Sequence, residues 1–317
     1  MAGEKTTAVP TERGQSIREL PAGELLERIG KGQNAEVYAL DGGTVVKLFR
    51  AGAEPELAFS EFDKADTALR LGVPTARTYG MVRCGGRLGI VFERVDSPSL
   101  RQVAAAEPER LEALAAKGAG LLQKLNRLEV RPGTFPDMAE IYRRRATALA
   151  DLLTDGEINL LCRMIDSIPQ RNTYLHGDFH RGNLMVRGDE LLLIDMADSG
   201  MGHPLYDVLG VYMLGMKILH TMPDVVPKLI GWDASMVRQA WEVFRNTYFG
   251  TDDPAETAGI DDMMEAYSWL RWLTFLKLAP GFTEEMRRKE VRAAREQFFP
   301  WAERHIVRFS PRIAGMS

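Results

Sequence analysis

The spacing of apolar residues changes once along this 317-residue chain, near Asp96, and that change limits the fold more than any other feature. Upstream, from Leu25 to Val95, apolar residues fall in short β-rich runs cut by glycines. The runs are Leu25 to Gly30, Glu36 to Leu40, Thr44 to Phe49, Thr78 to Cys84 and Leu88 to Glu93. Asp41-Gly42 and Gly85-Gly86 lie between such runs as hairpin turn signals. A single helix interrupts them, with Ala58, Phe62, Ala65 and Leu69 at helical spacing and Gly72 and Pro74 ending it. Downstream the helical period dominates: Leu111, Leu114, Ala115, Gly118, Leu121, Leu122 and Leu125 form one stripe, and others run from Ile141 to Leu153 and from Ile158 to Ile168. A small β interlude returns at Thr173 to His176, Leu184 to Arg187 and Leu191 to Asp195.

These periods predict an α+β fold in two lobes, and the length exceeds that at which a single core usually divides. Residues 1–14 read as a flexible tail, 15–95 as a mostly antiparallel sheet lobe with one helix, and 96–317 as a mostly helical lobe. A formal net charge of −4 leaves no broad basic face for phosphate backbones, so nucleic acid is not an expected partner. Cys84 and Cys162 are the only cysteines, without disulfide or zinc spacing, which fits a reducing, cytoplasmic compartment. The most apolar long stretch, Leu205 to Val226, carries Asp207, Lys217, His220 and Asp224. It reads as a buried helix, and no membrane partner is expected.

The segment with most chemistry is His176-Gly177-Asp178-Phe179-His180-Arg181-Gly182-Asn183, followed by Leu191 to Asp195. Phosphoryl transfer needs a carboxylate beside the attacking hydroxyl and oxygen ligands that hold Mg²⁺ against nucleotide phosphates. Asp178 suits the first role, and Asn183 and Asp195 the second. The spacing matches a kinase catalytic loop and its metal-binding aspartate. Each of these residues alone reads as a loop or turn residue satisfying backbone groups; their combination favours chemistry. His176 and His180, four apart, lack the helical period and the following Glu of a zinc pair; His176 reads as a brace of the loop, and His180 as a loop-stabilising or phosphate-side contact.

In these residues the sequence resembles the aminoglycoside phosphotransferase and choline kinase superfamily, which shares the bilobal protein-kinase-like fold. Gly202-His203-Pro204-Leu205-Tyr206-Asp207 resembles that superfamily's next motif. The resemblance implies Asp178 as catalytic base, Asn183 and Asp195 as ligands of Mg²⁺, and Asp207 as support for the loop. It also implies a site for ATP or GTP in the sheet lobe. Ile29 to Val37 resembles the glycine-rich loop through Gly30 and Gly32, with Ala35 where a third glycine would stand; glycines of an ordinary hairpin would look the same. Lys47, a charge inside the apolar strand Thr44 to Phe49, reads as the phosphate-side lysine or as a lysine snorkelling from a sheet face. Glu61 is its preferred partner and Glu56 the competing one. Glu93 and Val95 fall where backbone groups would bind the base, bordered by Phe92.

Only eleven residues separate Asp195 from Asp207, and no Ala-Pro-Glu follows, which disfavours a peptide acceptor. Near Gly259 to Glu265, the aromatics Tyr267, Trp269 and Trp272 read as helix core beside a solvated acidic face, or as a site for a cationic acceptor. Asp198 is a further acceptor candidate with a turn-forming alternative. The expectation is an ATP- or GTP-dependent phosphotransferase acting on a hydroxyl of a small molecule such as an amino sugar, amino alcohol or sugar. The alternatives are a nucleotide-binding pseudokinase without turnover and, less favoured, a protein kinase.

Overall fold

A computed structural model of the protein describes residues 9–10, 16–32, 34–278 and 282–304. Most of the tail expected over residues 1–14 lies outside the described residues. The chain forms two compact units, one of Met1–Ser97 with Arg187–Asp198, the other of Pro98–Val186 with Ser199–Ser317.

The first unit is a sheet of strands β1 (Val9–Pro10), β2 (Ser16–Glu19), β3 (Arg28–Lys31), β4 (Ala35–Leu40) and β5 (Thr44–Phe49), joined after helix α1 (Pro55–Arg70) by β6 (Thr78–Cys84) and β7 (Arg87–Glu93). Their order is β1-β2-β6-β7-β5-β4-β3. All neighbours are antiparallel except β2 and β6. Alternation along β5 sorts its side chains. Val46 and Leu48 join Leu40, Val82 and Val91 on one face, while Phe49 joins Ile90, Met81 and Ala35 on the face that receives Ala58, Phe59 and Phe62 of α1. The β4–β5 turn uses Gly42 and Gly43 at φ 75° and 73°, a conformation open to glycine at little cost. The run expected as a strand from Leu25 begins only at Arg28, because Ala22–Glu24 close a 3-10 turn ahead of it.

The second unit opens with α2 (Leu100–Ala106), α3 (Leu111–Leu125), α4 (Met138–Thr147) and α5 (Asp155–Asp166). Capping boxes start two of them, Ser99 with Gln102 at α2 and Thr154 with Glu157 at α5. The expected stripe of α3 is its buried face from Leu111 to Leu125, except that Leu121 is half-buried and Ala119 takes a place in the core. Strand β8 (Thr173–Leu175) follows, then β9 (Leu184–Arg187), at whose end the chain leaves this unit. Strand β10 (Glu190–Leu193) lies in the first unit, where Leu193 bridges Thr75. Back in the second unit, β11 (Gly200–Gly202) pairs antiparallel with β8. The remaining helices are α6 (Leu205–Tyr212), extended by a π turn, α7 (Ile218–Thr221), α8 (Val226–Ile230), α9 (Ala234–Phe249), α10 (Pro254–Leu278) and α11 (Glu284–Ala293). Helix α10 is central: Met264, Tyr267, Trp272 and Leu276 are all buried.

Candidate active site

In the first unit a row of residues crosses the sheet. Gly30 pairs with Val37, Val37 with Lys47, and Lys47 with Ile90. Residues in such a row project to the same face, here the one beneath α1. The Lys47 ammonium lies 2.6 Å from the Glu61 carboxylate and 2.9 Å from that of Asp195. Glu61 is buried at 4% exposure, whereas Glu56 sits exposed in the first turn of α1, so the partner is Glu61. Burial alone would lower the lysine's pKa, but the two carboxylates outweigh it and hold the ammonium above its ordinary range. Asp195 is the one non-glycine at positive φ among the described residues, at 64°. Asp tolerates this region better than most residues. One turn further along α1, Lys64 donates to the Ala197 carbonyl at 2.6 Å, so the same helix holds the Asp195 segment at a second point. Asp198 lies in the 3-10 turn Met196–Asp198.

The glycine-rich hairpin closes with the Gly32 amide donating to the Ala35 carbonyl at 2.8 Å and Arg50 donating to the Gly32 carbonyl. A side chain at Gly30 would meet the Val37 Cβ at 3.3 Å. Ala35 is 3% exposed, its methyl part of the core under α1, which accounts for a small apolar residue where a third glycine was looked for. Gln33 lies outside the described residues. Glu93 stands apart from the Lys47 cluster, three residues along β7 from Ile90, roughly 10 Å at strand rise. Its amide donates to the Arg77 carbonyl, and its carboxylate accepts from the Arg77 amide and from Arg187. Val95 follows the strand in half-buried irregular backbone, and Phe92 packs on the core beneath α1.

In the second unit the loop His176 to Asn183 leaves β8 and is tied down by Asp207 of α6. That carboxylate, fully buried, accepts from the His176 amide at 3.0 Å, the Gly177 amide at 2.7 Å and the Asn126 side chain at 3.2 Å. Burial raises its pKa, and these donors offset only part of the cost. The histidines brace the same loop: His176 Nδ1 accepts from the Asp178 amide and His180 Nδ1 from the Gly182 amide. No group of three or more metal-binding His, Cys, Asp or Glu side chains occurs among the described residues.

Asp178 stands at the centre of the loop. Its Oδ1 is 2.6 Å from Arg271 Nη2, and its Oδ2 is 3.4 Å from both His180 Nε2 and Asn183 Nδ2. Burial would raise this carboxyl, but the His180 contact and the Arg271 charge prevail and hold it well below the usual carboxylate range. Asn183 Nδ2 also donates to the Asp178 carbonyl at 3.0 Å, which turns its amide oxygen away from that residue.

Arg271 was not legible from motif spacing. The signal was the one that singled out Lys47, a cation within an apolar run, here Trp269-Leu270-Arg271-Trp272-Leu273 of α10. The aromatics around it are core: Tyr267 and Trp272 are fully buried, and Trp269 carries the Lys217 ammonium 3.7 Å from its ring centroid. Two nearby acids are partly exposed and also partnered: Asp261 accepts from Trp241 and Arg245, and Glu265 from Tyr212 and Lys217.

A model described as the phosphotransferase enzyme family matches residues 26–245. Among solved structures, a choline/ethanolamine kinase family protein from Mesorhizobium loti is 17% identical with a TM-score of 0.56, over 90% of this chain and 92% of that one. The streptomycin–ATP–APH(2'')-IIa ternary complex is 14% identical with a TM-score of 0.54, over 89% and 94%. The amicoumacin kinase hAmiN in complex with AMP-PNP, Ca²⁺ and Ami is 14% identical with a TM-score of 0.56, over 89% of both chains. These likenesses show a shared fold. A search of curated proteins finds no significant match.

Proposed function

Since the chain belongs to the phosphotransferase enzyme family, we propose that it transfers the γ-phosphate of ATP to a hydroxyl of a small molecule such as an amino sugar, amino alcohol or sugar. The observation that carries this reading is the Lys47 ammonium held by Glu61 and by Asp195, a residue 148 positions away. A lysine merely snorkelling from a sheet face needs no such pair of carboxylates, one buried and one distant in sequence.

In this reading Lys47 meets the nucleotide phosphates, and Glu61 fixes its position. The amides of the Gly30 to Ala35 hairpin lie over the phosphates, and Glu93 and Val95 offer backbone groups to the base. Asn183 and Asp195 would hold Mg²⁺, which supplies charge neutralisation on the phosphates; the free amide oxygen of one and the carboxylate of the other are the hard donors that ion takes. Asp178 accepts the hydrogen bond of the attacking hydroxyl. The acceptor oxygen forms its bond to the γ-phosphorus as the bond to the ADP oxygen breaks, and the hydroxyl proton passes to Asp178. Because the surroundings of Asp178 make it a weak base, it orients the hydroxyl first and takes the proton late, when bonding to phosphorus has made it acidic.

The test is a screen of amino sugars, choline-like amines, amino acids and sugars for acceptor-stimulated ADP release from Mg·ATP. With a turned-over acceptor, Asp178→Asn is expected to abolish transfer while Mg·ATP still raises the melting temperature. Wild-type turnover by that variant would remove Asp178 from the role of base.

A further inference from the structure

We propose that Arg271 is a positioning residue for Asp178, fixing which carboxylate oxygen faces the acceptor hydroxyl. The inference rests on Asp178 being the base in the reading above. Arg271 reaches from α10 to the loop with both terminal nitrogens: Nη1 donates to the Gly177 carbonyl at 2.7 Å, and Nη2 to Asp178 Oδ1 at 2.6 Å. One planar group thus grips the backbone before Asp178 and the carboxylate itself, a fork that a lysine's point charge does not reproduce. The guanidinium is largely buried, its side chain 13% exposed.

One feature shows that the fold makes room for this contact. In α6, a Cβ at Gly210 would come within 3.0 Å of Arg271 Nη1. The same helix carries Asp207, which anchors the His176 and Gly177 amides. The loop is therefore held at its amides by Asp207 and at its carbonyl and carboxylate by Arg271. With Oδ1 held at 2.6 Å by Arg271, Oδ2, whose contacts to Asn183 and His180 are both longer at 3.4 Å, is the oxygen that faces a hydroxyl. Freed of this grip the carboxylate would rotate about its terminal bond, whose torsional preference is broad. Misplacing a reacting group by about 1 Å costs on the order of 100-fold in rate.

The experiment uses the full chain and Mg·ATP with water as the acceptor, following ADP release in wild type, Asp178→Asn, Arg271→Gln, Arg271→Lys and the double variant Asp178→Asn/Arg271→Gln. Arg271→Gln is expected to lower kcat by roughly 10- to 100-fold, leaving the KM for ATP and the Mg·ATP-induced rise in Tm within about twofold of wild type. Arg271→Lys should recover part of the loss. In the Asp178→Asn background, removal of Arg271 should cost nothing further, because its effect passes through that carboxylate. The proposal is overturned if Arg271→Gln keeps wild-type kcat, if kcat and nucleotide affinity fall together, or if the two losses multiply. Should Arg271→Gln not fold, the kcat against KM split in Arg271→Lys decides by the same criterion. Unchanged hydrolysis by Asp178→Asn alone would instead overturn the assignment of the base, and the positioning role with it.

Discussion

At the scale of single residues, the proposed chemistry depends on charges placed where burial would ordinarily exclude them. Asp207 is the clearest case, a carboxylate with no exposure that serves three donors, two of them backbone amides of the loop from His176 to Asn183. Asp207→Ala would orphan the two backbone amides in a dry site and leave the Asn126 side chain only the Tyr174 carbonyl, at 3.4 Å. It is expected to cost on the order of 3–5 kcal/mol, measurable by urea denaturation, and to end transfer. Asp207→Asn keeps an oxygen for only part of that set and should fall in between. Several of these residues were legible in the sequence because a charge among apolar neighbours demands a partner. Lys47 announces itself in that way, and Glu61 sits on the inward side of the next helix. Arg271 gave the same signal, but its partner lies 93 positions away, and no local spacing connects the two. Nor does spacing separate Glu93, whose carboxylate is engaged by Arg187, from a residue with no side-chain role.

At the scale of elements, long stripes were readable and short pieces were not. Helix α3 follows its apolar period from end to end, whereas β2 is four residues with only Ile17 buried, too short to show alternation. Helix α10 was legible only in part. Its acids look solvent-facing in the sequence and are partly exposed, but Glu265 is also bound by Lys217, Tyr212 and His220 from the segment after Asp207, which no local spacing shows. Burial would raise the Glu265 carboxyl, but these partners hold it at about 2. Lys217 moves the other way, pushed below its usual range because burial outweighs the pull of Glu265. The glutamate is thus the member of the pair that gains from folding. A carboxyl near 4.3 in the unfolded chain and depressed in the fold stabilises at pH above about 4.3 and loses that contribution as pH falls toward 2. Glu265→Gln should therefore lower Tm at neutral pH, with a deficit that narrows steadily below about pH 5. A constant deficit from pH 7 to pH 3 would show that the loss is one of packing. Since Glu265 is partly exposed, added salt should shrink the effect at neutral pH.

At the scale of the whole molecule, the residues proposed to act on nucleotide and acceptor are divided by unit. Lys47, Glu61 and Asp195 belong to one, and Asp178 and Asn183 to the other. A ligand that engages the native site and not the unfolded chain stabilises by about 2.7 kcal/mol at 100 times its Kd. Mg·ATP at saturation is accordingly expected to raise Tm by several degrees, and chelation of Mg²⁺ with EDTA to remove most of that rise. No shift with Mg·ATP would count against nucleotide binding itself. The two-lobed α+β organisation was legible because the apolar period changes near Asp96. The return of residues 187–198 to the first unit was not, since nothing in a short strand tells which of two cores it joins.

That return has a consequence for how such a gene is inherited. The sheet unit is closed by Leu193 on Thr75, by Ala197 on Lys64 and by Asp195 on Lys47. All of these contacts are encoded after the first 89 residues of the second unit, Pro98 to Val186, have been read. A crossover at any single point in those 89 codons would join one parent's sheet to another parent's closing segment. Recombination can exchange the helices that follow Asp207 as a block, but the sheet unit travels only with the loop from His176 to Asn183, encoded between its two parts.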